Sequence, residues 1–212
     1  MNNVLVLKNS ILGEASASNG LIDEAVAALS RIHNAAFTVR DLANSPVPHF
    51  DAHAAVGLRS EPQNDRQRAA RALSDALVGE LIAADTILIG APMYNFGLPT
   101  TLKAWFDYVL RAGVTFRYTE TGAAEGLVQG KRAIVVLSRG GIYSGGPAAL
   151  MDSQEPHIRT LLAFIGITDV DFIRAEGLAL GPDHRERGLA QARSRLLEAL
   201  RIIEAEKLRA AG

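Results

Sequence analysis

The sequence predicts an open, parallel α/β sheet covered by helices on both faces. Three observations carry that expectation. Short continuous apolar runs recur along the chain, VLVL at residues 4–7, TILIG at 86–90 and AIVVL at 133–137, the pattern of strands buried on both faces. Stretches of helical period separate them. Hydroxyl-, proline- or glycine-rich turns follow each of these strands, at the carboxyl edge where such sheets bind ligands.

Taken in order, strand 4–7 is followed by the loop KNSILGEASASN, residues 8–19, rich in hydroxyl groups. A helix is expected over 18–33, with Leu21, Ile22, Ala25, Val26 and Leu29 on one face. Residues 37–40 (FTVR) form a second strand with Asp41 at its end. Residues 42–63 carry three prolines, His49 and His53 without a clear period, and are expected to be an irregular lid or mobile loop. Residues 65–83 return to a helical period.

Strand 86–90 ends in the turn PMYNFG, and a helix is expected over 99–112. Pro99 suits a first helical turn, where its missing N–H costs nothing, and Gly113 reads as the stop. Residues 114–130 suggest a hairpin or ordered loop. Strand 133–137 leads into Ser138-Arg139-Gly140-Gly141 and a glycine-rich loop. A helix over 147–166, a strand over 169–173 and a last helix over 183–208 complete the chain. Five such strands with right-handed crossovers favour the order 2-1-3-4-5, a flavodoxin-like three-layer sandwich. No repeat or linker interrupts the 212 residues, so a single domain is expected.

Composition narrows the function. A net charge of −1 argues against a nucleic-acid partner. The absence of cysteine excludes disulfides, thiolate catalysis and cysteine-ligated metals. Neither a secretory leader pattern nor a run long enough to span a bilayer is evident, so a cytoplasmic protein without membrane contact is expected.

Three constellations could carry chemistry. Ser10, Ser16 and Ser18 precede the first helix, where hydroxyls and free N–H groups can surround an anion; ordinary capping is the competing reading. Met93, Tyr94, Asn95 and Phe96 offer apolar packing and an amide, suited to a flat ligand with a polar edge such as a flavin. The competing reading is a well-packed loop. Ser138, Arg139, Gly140 and Gly141 could let the backbone approach a ring closely, or form only a tight turn. The predicted topology gathers all three on one edge of the sheet. His49 and His53 flank Asp51, but without helical context they read as surface histidines, and no metal site is expected. Trp105, Phe106 and Tyr108 read as core or subunit interface. There is no nucleophile elbow and no Ser–His–Asp set.

The run from Pro92 to Gly122 (PMYNFGLPTTLKAWFDYVLRAGVTFRYTETG), continued by EGLVQGKRAIVVLSRGGIY, strongly resembles the FMN-dependent NADH-azoreductases. That family was formerly described as acyl-carrier-protein phosphodiesterases. VLVLKNSILG, ASASN, LLAFIGITDV and AEG resemble it too, so the likeness spans essentially the whole chain.

The resemblance implies a homodimer with active sites at the interface, each subunit holding one FMN tightly without a covalent bond. It implies Ser10, Ser16, Ala17 and Ser18 at the phosphate, Met93 to Phe96 along the ring, and Ser138 to Gly141 over its pyrimidine side. Arg59, Tyr118 and Phe164 match positions lining the substrate pocket, Tyr118 and Phe164 from the partner subunit. NADH or NADPH would be the donor, and azo compounds or quinones the acceptors, in a ping-pong sequence through flavin N5 with no catalytic side chain required. Two departures stand out. Ala17 replaces a commonly polar residue, leaving a phosphate contact missing or backbone-only, and Gly97 replaces another. A flavodoxin-type electron carrier is the competing class, against which the near-neutral charge and the long segment at 42–63 argue.

Overall fold

The computed structural model describes residues 2–32 and 35–211. Its main sheet is built from β1 (Asn2–Lys8), β2 (Ala35–Asp41), β3 (Thr86–Pro92), β6 (Arg132–Ser138) and β7 (Asp169–Ala175), all parallel, in the order β2-β1-β3-β6-β7. This is the expected 2-1-3-4-5 arrangement. β3 is buried along its whole length and β6 along its middle, as apolar runs without alternation require.

Helices α1 (Ala17–Ile32) and α6 (Pro182–Ala211) pack on one face over Val4, Val6, Leu88, Ile134 and Val136. On the other face, α3 (Asp65–Ala83), α4 (Thr100–Val109) and α5 (Glu155–Phe164) cover Leu5, Leu7, Ile87, Ile89 and Val135. Trp105 and Phe106 are fully buried and Tyr108 nearly so, which places the aromatic helix in the core. The first helix was expected to reach His33, which lies outside the described residues.

Three expectations need correction. Residues 42–63 are not irregular throughout, because α2 (Ala52–Arg59) lies within them. Asp51 caps it, its Oδ1 accepting from the Ala54 N–H at 2.8 Å. A helix of eight residues whose buried positions are only Ala54 and Gly57 shows almost no period. The expected helix 147–166 is broken into a 3-10 turn (Pro147–Met151) and α5. At the break Asp152 Oδ1 accepts from the N–H groups of Gln154 and Glu155, so a fresh helix start is capped there. Finally, α4 ends at Val109, short of Ala112. Gly113 turns at φ +77°, its N–H donating to Phe116 O at the start of a hairpin formed by β4 (Phe116–Tyr118) and β5 (Ala124–Gly126).

Candidate functional site

The carboxyl ends of β1, β3 and β6 open onto one cavity of about 200 Å³, lined by Ser10, Ser16, Ala17, Met93, Tyr94, Ser138, Arg139 and Gly140 among others. Residues from all three sequence constellations therefore meet there, whereas Ser18, Asn95, Phe96 and Gly141 do not line it. None of the lining residues is a carboxylate.

The serine loop forms the first wall. Ser16 precedes α1, and its Oγ accepts from the Asn19 N–H at 3.1 Å and lies 3.1 Å from the Ser18 hydroxyl. Capping and anion binding coexist here. Ser16 satisfies the third N–H of the helix, while those of Ala17 and Ser18 have no acceptor among the described residues. The first turn of α1 carries no acidic side chain. The Tyr94 hydroxyl ties this wall to the next, accepting from the Ile11 N–H at 3.0 Å and lying 3.4 Å from Ser10 Oγ.

Pro92, Met93 and Tyr94 form the second wall, and the turn of residues 94–97 continues from it. Tyr94 and Gly97 exchange two backbone hydrogen bonds of 3.1 and 3.0 Å across Asn95 and Phe96. Those two residues sit at φ +48° and +70°, the signs a type I′ turn requires. Asn tolerates the left-handed region, but a bulky Phe there is an outlier costing of order 1–3 kcal/mol. Neighbours hold it in place. The Met93 N–H donates to Ser138 O at 2.8 Å, Phe96 O accepts from the Ser153 N–H at 3.0 Å, and the Phe96 ring meets Tyr143 edge-on.

The third wall is formed by residues 138–140, at the start of the loop that runs on through Gly141. It is stitched to the loop after β7 by three bonds, from Leu178, Ala179 and Gly177 N–H to Arg139, Gly140 and Gly141 carbonyls. Leu178, Ala179 and Arg185 also line the cavity and were missed in the sequence; they lie far along the chain, and only the β6–β7 pairing brings them near.

The Arg139 side chain turns elsewhere. It is fully buried, its guanidinium 2.8 Å from Asp152, 2.9 Å from Glu176 and 3.7 Å from Glu155, with Nε donating to Gln154 at 3.0 Å. Burial works against the charge of Glu176. The Ser144 hydroxyl, the Tyr143 N–H and Arg139 nevertheless hold its carboxyl below the usual glutamate range.

Arg59, Tyr118 and Phe164 do not line this cavity. Arg59 ends α2 and is exposed. Tyr118 is 64% exposed on the hairpin, in an aromatic cluster where Phe116 contacts both it and Phe164. No group of three or more His, Asp or Glu among the described residues could hold a metal ion.

An open sheet of this order, with a carboxylate-free cavity beside the N-terminus of α1, defines a flavodoxin-like protein. Residues 2–200 match the family model described as flavodoxin-like fold. Within that fold the chain belongs to the family of FMN-dependent NADH:quinone oxidoreductases. The protein of that name from Azotobacter vinelandii (strain DJ / ATCC BAA-1303) is 50% identical over 201 residues, spanning 93% of this chain and 99% of the relative. Its namesake from Shewanella amazonensis (strain ATCC BAA-1098 / SB2B) is 51% identical over 197 residues, spanning 92% and 98%. Among solved structures, the azoreductase from Bacillus anthracis str. Sterne matches with a TM-score of 0.84 at 26% identity, covering 97% of this chain and all of that one. An FMN-dependent NADH-azoreductase from Bacillus anthracis str. Ames Ancestor, solved in complex with FMN, shares the fold with a TM-score of 0.86 at 24% identity over 96% of this chain.

Proposed function

We propose that the protein is an FMN-dependent NAD(P)H oxidoreductase that reduces quinones and azo compounds. The observation that carries this reading is the meeting, in one carboxylate-free cavity, of Ser16 and Ala17 at the N-terminus of α1 with Met93, Tyr94 and Ser138 to Gly140, next to the left-handed turn at Asn95 and Phe96. The donor set fits FMN. Hydroxyls of Ser10, Ser16 and Ser18 and the N–H groups of Ala17 and Ser18 would hold the phosphate, helped by the helix dipole. Met93, Tyr94, Asn95 and Phe96 would line the ring, and the backbone of Ser138, Arg139, Gly140 and Gly141 would close on its pyrimidine edge.

Bound FMN would supply a hydride relay at N5, from NADH or NADPH to the acceptor, in a ping-pong sequence. The chain itself binds, orients and shields. Its turn arrives already shaped, so little backbone ordering is left for the bound state to impose. No side chain in the cavity is positioned as a general acid or base, and water supplies the protons.

We further propose a homodimer. The cavity of about 200 Å³ falls below the roughly 300–1,000 Å³ usual for ligand sites, so one copy supplies only part of the wall. Phe96, Ile142, Leu150 and Met151 lie exposed, and a second copy could cover them while bringing Tyr118 and Phe164 to the acceptor, with Arg59 on the lid. No described helix is long and apolar enough to cross a membrane; we place the reaction in the cytoplasm, where NADH is supplied.

The test is direct. Purified protein supplied with FMN should retain it, and NADH should bleach the flavin bands anaerobically. It should also turn over NADH with a small quinone without a partner protein, giving parallel double-reciprocal lines. Protein that retains no FMN would refute the reading, and reduction without quinone turnover would favour an electron carrier. Side-by-side turnover of NADH and NADPH assigns the donor.

A further inference from the structure

The fold places one cation at the cavity that the sequence did not single out. Arg185 lies in the first turn of α6, its N–H donating to Gly181 O at 3.0 Å, and it lines the same cavity as Ser16 and Ala17. Among the described residues its guanidinium has no ion-pair or hydrogen-bond partner, unlike Arg139, Arg174 or Arg193. A cation in the first turn of a helix also faces the positive end of that helix's dipole. Asp183 and His184 share the turn but do not line the cavity. An unpaired cation so placed is settled by an anion entering the cavity.

Across from it, Ala17 contributes backbone only. The phosphate wall of α1 thus holds hydroxyls and N–H groups but no charge of its own, while a phosphate monoester brings close to two negative charges at neutral pH. We propose that Arg185 is the cationic anchor of the cofactor phosphate, reaching it from α6 and supplying the side-chain donor that Ala17 lacks. This rests on the reading that FMN occupies the cavity. It adds a specificity determinant, since only a phosphorylated flavin would engage Arg185.

The experiment is equilibrium binding of FMN and riboflavin to the whole, flavin-depleted chain, followed by flavin fluorescence, for the wild type, Arg185→Ala and Arg185→Lys. Arg185 is exposed at a helix start, so neither substitution disturbs the core. Loss of a charge-assisted contact should weaken FMN binding by about ten-fold or more in Arg185→Ala, leave riboflavin unchanged and flatten the salt dependence of FMN binding. Arg185→Lys should recover much of the loss. Equal Kd for FMN in wild type and Arg185→Ala overturns the inference, as does a parallel loss for both flavins. A change confined to the KM for NADH overturns it too, by assigning Arg185 to the donor. A wild-type chain that binds no FMN overturns the underlying reading instead, so the two failures are distinguishable.

Discussion

Replacing Arg139 with methionine tests how the loop at 138–146 is held. The guanidinium is wholly buried between Asp152 and Glu176, with Glu155 slightly farther off. Breaking a buried charge cluster by removing one partner costs about 3–5 kcal/mol, because the remaining charges stay desolvated. Here Glu155 keeps Arg174 and Arg159, and Glu176 keeps Ser144 and the Tyr143 N–H, so the lower end, about 3 kcal/mol, is expected. In a chain of this length that is roughly 6–12 °C in Tm.

The sign of the pH dependence follows from Glu176. In the native protein its carboxyl is held low, so its contribution is present above the unfolded value of about 4.3 and lost as pH falls through the folded value. Without Arg139, only Ser144 and the Tyr143 N–H are left to oppose burial, so the folded value rises from its low position. The variant has less carboxylate stabilisation to lose below about 4.3, so the penalty narrows there by up to about 1.4 kcal/mol per unit of rise. Urea denaturation of both proteins at about pH 7 and about pH 3.5 is the assay. The penalty should shrink at the lower pH. A penalty below about 1 kcal/mol at neutral pH, or one that is the same at both pH values, would refute the reasoning.

Two further substitutions probe the walls of the site. Asn95→Ala puts an ordinary side chain at φ +48°, costing about 1 kcal/mol; it should also weaken FMN retention or slow flavin reduction by NADH, and stopped-flow traces matching wild type would remove Asn95 from the site. Gly126→Ala builds a Cβ 2.1 Å from the Gly166 nitrogen, backbone against backbone. It should cost about 1–3 kcal/mol and, by shifting the hairpin that carries Tyr118, raise the KM for quinone. An unchanged thermal midpoint would mean the joint gives way freely.

The strands were legible because their burial is local information. VLVL, ILIG and AIVVL carry no polar residue to place at a surface, so each had to be covered on both faces. What escaped was information held between segments. The helix α2 has its clearest signal in a cap, Asp51, which in the sequence drew notice only as the residue between two histidines. The break before α5 depends on Asp152, whose side chain is shared between the new helix start and Arg139. In SRGG the position of Arg139 was readable but the direction of its side chain was not, because its partners lie just past β7 and beyond the glycine loop. Arg185 was hidden for the same reason, its neighbours Ser16 and Ala17 being at the opposite end of the chain.

The turn at Asn95 and Phe96 joins these observations. Its sequence is not the Asn-Gly that a two-residue type I′ turn favours, so a phenylalanine occupies a place where glycine would be relaxed. Such strain persists only where surrounding structure over-determines it. The bonds that do so come from Ser138 at the end of β6 and from Ser153 beside the α5 cap. Ser138 precedes Arg139, and Ser153 follows the Asp152 that Arg139 holds. The buried arginine therefore fixes both anchors of the strained turn, although its own charge never faces the cavity. Loosening Arg139 should free Phe96 to leave the left-handed region, and the turn that continues from Met93 and Tyr94 beside the cavity would then lose its shape. On this account the Arg139 cluster and the Asn95–Phe96 turn are one mechanical unit: the cluster supplies the constraint, and the turn holds the strain that the constraint makes possible.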